Sequence, residues 1–131
     1  MFTQNAVRLL IADDDPNVLA AYVSFFNAQG YEIRTSGDGA DALAQYRAWH
    51  PKAVVLDIQM PMLDGRAVAR EIRRLRAVPR PLLVAVTALT AASEHAESLN
   101  SGFDYHFVKP ADLPVVLATI AADALSNDMD A

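Results

Sequence analysis

Five short apolar runs recur along the chain: Val7 to Ala12, Tyr31 to Ser36, Ala53 to Asp57, Leu82 to Thr87 and Tyr105 to Val108. Each has the length of a strand, most lack an interior Gly or Pro, and polar residues gather at their carboxyl ends. Near-continuous aliphatic runs separated by amphipathic stretches predict a parallel sheet covered by helices on both faces.

The intervening stretches read as helices. Pro16 to Gln29 sets Val18, Leu19, Tyr22, Val23, Phe25 and Phe26 at helical spacing, and Gly30 supplies a C-terminal stop. The second, about Ala40 to Trp49, puts Leu43 and Tyr46 on one face and ends at His50-Pro51, with Gly37 and Gly39 loosening its entry turn. Arg66 to about Arg76 carries Val68, Ile72 and Leu75 on one stripe, and its arginines read as a solvated face. The fourth, about Ala92 to Ser101, has Ala and Ser where a buried helix has Leu or Ile, so loose packing is expected. The last, Ala111 to about Leu125, places Leu113, Val116, Leu117, Ile120 and Leu125 inward, and residues 126–131 are polar enough to fray.

Composition narrows the class. At 131 residues the chain is the size of one domain spanning 1–131, with a core at about 7–125. It is 53% hydrophobic with no membrane-length run, and it has no cysteine for disulfides or thiolate metal sites. The opening "MFTQNAVRLL" has neither the basic segment nor the cleavage site of a secretion signal, so a cytoplasmic location without membrane contact is expected. A net charge of −5 argues against direct nucleic-acid binding, which is driven by Lys and Arg displacing counterions. The two lysines are Lys52 and Lys109.

In a doubly wound sheet the site lies beyond the carboxyl ends of the strands, where the winding direction reverses. The first run ends in Asp13, Asp14 and Asp15, the third in Asp57, the fourth in Thr87 and the fifth in Lys109. Carboxylates from the first and third suit a hard cation such as Mg²⁺. A carboxylate beside that ion, with an ammonium and a hydroxyl opposite, suits a phosphoryl acceptor, because phosphoryl transfer depends mainly on positioning and charge neutralisation.

The order "ADDDP", "LDIQMPMLDG", "VTA" and "VKP" resembles the receiver domains of two-component response regulators, especially single-domain chemotaxis-type receivers, from about Arg8 to about Leu125. The resemblance implies a flavodoxin-like α/β fold: a doubly wound five-stranded parallel sheet, strand order 2-1-3-4-5, with five helices. It implies that Asp57 accepts a phosphoryl group from a histidine kinase or histidine phosphotransfer protein. Mg²⁺ or Mn²⁺ would be held by Asp13, Asp14, Asp57 and the Gln59 backbone carbonyl. Thr87 and Lys109 would hold phosphoryl oxygens, Lys109 to Pro110 would be a cis peptide, and Gln59 and Leu89 would flank the phosphoryl group. Thr87 would move with that group while His106, at a position usually held by Tyr or Phe, turns inward. A downstream protein would be met on the face of the fourth helix, fifth strand and fifth helix, by a monomer or weak dimer. Such a domain is a regulatory phosphoacceptor rather than an enzyme that turns over substrate.

Strand alternation alone pairs Asp13 with Asp15. The resemblance and Pro16 instead leave Asp13 and Asp14 for the cation and make Asp15 the helix N-cap. His50 and His95 read as surface residues, and Asp64 with Gly65 as a tight turn. Asp38, Asp41 and Asp104 read as caps of helices or turns. Two other functions fit parts of the sequence. "DDDPN" contains the Asp-x-Asp of a haloacid dehalogenase-like phosphatase, although Asn17 stands where that motif wants Thr or Val. The second is a receiver fold used as a phosphorylation-independent docking module, against which the full chemical set argues.

Overall fold

The computed structural model describes residues 6–130, with side chains through residue 125. Its strands are β1 (Arg8–Ala12), β2 (Glu32–Ser36), β3 (Ala53–Asp57), β4 (Leu82–Thr87) and β5 (Tyr105–Val108). They alternate with helices α1 (Pro16–Ala28), α2 (Gly39–Trp49), α3 (Gly65–Arg74), α4 (Ala92–Asn100) and α5 (Leu113–Asp130). All pairings are parallel and the order is β2-β1-β3-β4-β5, so the fold is flavodoxin-like α/β. The chain leaves β1 toward β2 and then crosses to β3 on the other side. The ends of β1 and β3 are therefore adjacent at the point of reversal.

Two apolar layers flank the sheet. Tyr22 and Phe26 of α1 with Val116 and Ile120 of α5 pack on Leu9, Ile11, Val55 and Val84. Leu43 and Tyr46 of α2 with Val68 and Ile72 of α3 pack on Leu10, Val54, Leu56 and Leu83. Every residue of β3 and β4 is buried, as sequences covered on both faces require, whereas the edge strand β2 alternates. The α4 helix buries only Ser98, in keeping with its weak apolar pattern. No helix among the described residues is long and apolar enough to cross a membrane.

Several local expectations change. Leu75 and Leu125 are exposed rather than inward, because Leu75 follows the last turn of α3 and Leu125 lies beyond the part of α5 that faces the sheet. The α5 helix starts after Asp112, whose carboxylate and carbonyl accept from the Val115 N–H, and it continues to Asp130 rather than stopping at about Leu125. Residue 131 lies outside the described residues. The α3 arginines are not simply a solvated face. Arg66 pairs with Glu94 and Glu97 of α4, Arg70 donates to Ser101, and Arg73 donates to the carbonyls of Pro81 and Gly102 and to Asp104. Asp104 is thus no cap: it receives Arg73, Arg80 and the Leu83 N–H. Gly39 does more than loosen a turn, since a Cβ there would lie 1.6 Å from the Leu63 carbonyl oxygen.

At the opposite end of the sheet from β1's carboxylates, Trp49 is buried with two guanidinium groups over its ring. Arg34 lies 4.6 Å and Arg8 5.6 Å from its ring centroid, and Arg8 also donates to the Trp49 carbonyl.

Candidate functional site

Asp13 and Asp57 extend from the ends of adjacent strands, and burial leaves them only 3% and 4% exposed. Asp14 is exposed beside them, and one oxygen from each of the three lies within 4.8 Å of the others. Lys109, just past β5, reaches both buried carboxylates, with Nζ 2.8 Å from Asp13 Oδ2 and 3.1 Å from Asp57 Oδ2. Its own N–H donates to the Thr87 carbonyl at 2.8 Å, tying β5's exit to the end of β4, and the following bond to Pro110 is cis. The remaining oxygens are also held: Asp15 N–H donates to Asp13 Oδ1 at 2.9 Å and Gln59 N–H to Asp57 Oδ1 at 3.1 Å.

Asp15 stands apart from this group. It is the N-cap of α1, accepting from the Asn17 N–H at 2.9 Å, with Pro16 in the first turn. Asp38 and Asp64 likewise cap α2 and α3, while Asp41, in the first turn of α2, accepts from Gln45. Gly65 makes a close approach possible: a Cβ there would lie 2.4 Å from the Asp57 carbonyl oxygen, so only glycine lets α3 begin directly behind Asp57.

Three carboxylates face one ammonium, and the electrostatics reflect that imbalance. Burial, the largest influence, pushes the Asp57 carboxyl above its ordinary value; Lys109 pulls it back and Asp13 pushes it further up. Burial by itself lowers the Lys109 ammonium, but the hydrogen bonds and charges of Asp13 and Asp57 outweigh it and hold the lysine above its usual value. Hard oxygen donors with excess negative charge form a set suited to a divalent cation, and three carboxylate oxygens this close match its needs.

The other residues singled out in the sequence surround this centre. Thr87 is fully buried at the end of β4, its hydroxyl accepting from the Leu89 N–H at 3.1 Å. Leu89 packs partly against the α2 and α3 layer, and Gln59 is exposed. His106 is half-buried on the α4 side of β5, its ring 4.8 Å from that of His95 and its Nδ1 buried without a partner. Phe107 alternates to the α1 and α5 layer, and Tyr105 is exposed. His50 is exposed and closes α2 in the left-handed conformation, whereas His95 is exposed but engaged with His106. In the sequence the spacing of Tyr22 marks it only as a core position. The structure sets it in the wall of a groove that Lys109 and Pro110 also line, and the one signal in the sequence is a hydroxyl on an otherwise apolar stripe.

Comparison with known proteins agrees with this geometry. The model of the response regulator receiver domain matches residues 9–121. The transcriptional regulatory protein PrrA of Mycobacterium leprae is 37% identical over 116 residues, covering 88% of this chain and 48% of that protein. The chain thus spans about half the length of the curated relatives it matches. A receiver domain protein (CheY-like) from Methanospirillum hungatei superposes with a TM-score of 0.88 over 97% of this chain and all of that one, at 24% identity. The CheX-CheY-BeF3-Mg complex from Borrelia burgdorferi gives 0.80 at 26% identity, over 88% of this chain and 87% of that one.

Proposed function

The chain belongs to the response regulator receiver domain family, and from that membership we propose that Asp57 is the phosphoacceptor of a two-component or phosphorelay system. The observation that carries this reading is the buried Asp57 carboxylate, held by Lys109 and grouped with Asp13 and Asp14. An Asp57 oxygen attacks the phosphorus of a phosphohistidine on a histidine kinase or histidine phosphotransfer protein. The new P–O bond forms as the P–N bond breaks, and the electron pair leaves with the imidazole, which then takes a proton.

Asp13, Asp14, Asp57 and the Gln59 carbonyl would hold Mg²⁺ or Mn²⁺. When bound, the cation supplies the positive charge that the cluster lacks. Lys109 turns its ammonium to the phosphoryl oxygens, and the Thr87 hydroxyl, which accepts from the Leu89 N–H at rest, donates its proton to the same group. Gln59 and Leu89 flank it and limit the approach of water. Movement of Thr87 frees the space toward His106, and the altered α4, β5 and α5 face changes its protein partner. The chain is then regulatory, catalysing at most its own phosphorylation and dephosphorylation, and the same reading places it in the cytoplasm. Asp15 is engaged at the α1 N-cap, so it is not free to act as the acid and base of a dehalogenase-like phosphatase.

Incubation with acetyl phosphate and Mg²⁺ should add one phosphoryl group, detectable by intact mass, and Asp57→Asn should abolish the addition. Labelling that survives the substitution would exclude Asp57.

A further inference from the structure

Tyr22 lies two turns into α1, seven residues beyond its Asp15 cap. Helical side chains lean toward the helix N-terminus, so its ring climbs back toward the level at which β1 ends. The ring stacks on Phe26, 6.1 Å between centroids and 6° from parallel, and the residue is 4% exposed. Its hydroxyl is buried with no hydrogen-bond partner. It lines a groove of about 370 Å³ between α1 and the start of α5, with Val18, Val86, Lys109, Pro110 and Leu113 among the other walls. Burial first, then the charges of Asp13 and Asp57, push the phenol up to about 12, so the hydroxyl keeps its proton and remains a donor.

A buried donor without an acceptor costs stability, and replacing it by an apolar group of the same shape is neutral or favourable. Its presence beside a charged cluster makes sense if an acceptor becomes free in another state. In the resting arrangement each Asp13 oxygen already has a donor, Oδ1 the Asp15 N–H and Oδ2 the Lys109 ammonium. On the reading above, phosphorylation of Asp57 draws the ammonium away, and the buried Oδ2 loses a hydrogen-bond donor even where a cation shares the carboxylate.

We propose that Tyr22 is a positioning residue for the phosphorylated state: its O–H takes over Asp13 Oδ2 when Lys109 turns to the phosphoryl group on Asp57. This inference rests on the reading of Asp57 as phosphoacceptor. A neutral donor suits the place, because it satisfies Asp13 without adding a charge that would compete with a cation. The phenol need not ionise.

Tyr22→Phe removes only the oxygen. In the absence of Mg²⁺ it should melt at the same temperature as the parent or higher. With Mg²⁺ present, its affinity for beryllofluoride should fall about tenfold, as loss of a hydrogen bond to a charged group requires. Equal beryllofluoride affinity in Tyr22→Phe and parent would overturn the proposal, as would a lower melting temperature accompanied by a matching loss of binding. Asp57→Asn measured in parallel separates the two readings. If it still takes up acetyl phosphate, the phosphoacceptor assignment fails; if it does not, an unaffected Tyr22→Phe removes Tyr22 alone.

Discussion

Asp13, Asp14 and Asp15 are consecutive, yet the first meets a lysine, the second solvent and the third a helix N-terminus. Pro16 made the last of these legible in the sequence, because proline in the first turn marks where a cap must sit. Nothing comparable announces the neighbours of His106, since a contact with His95 depends on how α4 crosses β5. That contact has a pH consequence. Burial lowers the His106 pKa from its ordinary 6.5, the charges of His95 and Arg66 lower it further, and the Leu89 backbone and Glu94 oppose them. With the folded value below the unfolded one, the unfolded chain binds the proton first as pH falls. Stability is therefore fully present above the ordinary value and declines as pH drops through it toward the folded value. Thermal melts from about pH 7.5 to about pH 5.5 should show a smaller loss in His106→Phe than in the parent. Equal losses would mean that His106 contributes nothing to the acid limb.

At the scale of elements, the pattern of apolar residues placed β3, β4 and β5 to the residue and the other elements within a few positions. Periodicity reports the face a helix turns to the sheet. It says little about long cationic side chains that span to the next helix, and so Arg66, Arg70 and Arg73 read as solvated although they bridge α3 to α4 and the loop before β5. Gly65 was legible only as part of a turn, because the need for glycine comes from the strand packed behind it rather than from local conformation. A methyl group there would meet the Asp57 carbonyl oxygen at 2.4 Å and the Ile58 Cα at 2.9 Å, both backbone atoms that yield only if α3 moves. Gly65→Ala should therefore cost about 1 to 3 kcal/mol in urea unfolding. Because the displaced strand end carries Asp57, acetyl phosphate labelling should slow as well. Unchanged stability and labelling would show that α3 shifts freely.

For the whole molecule, the alternation of strand-like runs and helical stretches predicted a parallel sheet covered on both faces, and the resemblance to receiver domains supplied its strand order. That order brings together residues 44 positions apart in sequence, Asp13 and Asp57, together with Lys109 from the far edge. The resulting excess of negative charge should couple cation binding to global stability. At Mg²⁺ concentrations about a hundredfold above the dissociation constant, binding to the folded state adds about 2.7 kcal/mol. The melting temperature should rise with MgCl₂ but not with NaCl of equal ionic strength, and Asp14→Asn should suppress most of the rise. An equal response to both salts would indicate general screening rather than a site. The single tryptophan gives this measurement a clean reporter. Trp49 is buried, with Arg8 and Arg34 packed over its ring, at the end of the sheet away from the carboxylates. Its intrinsic fluorescence should therefore follow unfolding of the core and respond little to chemistry at Asp57, so that melts with and without Mg²⁺ read stability directly from the unlabelled protein.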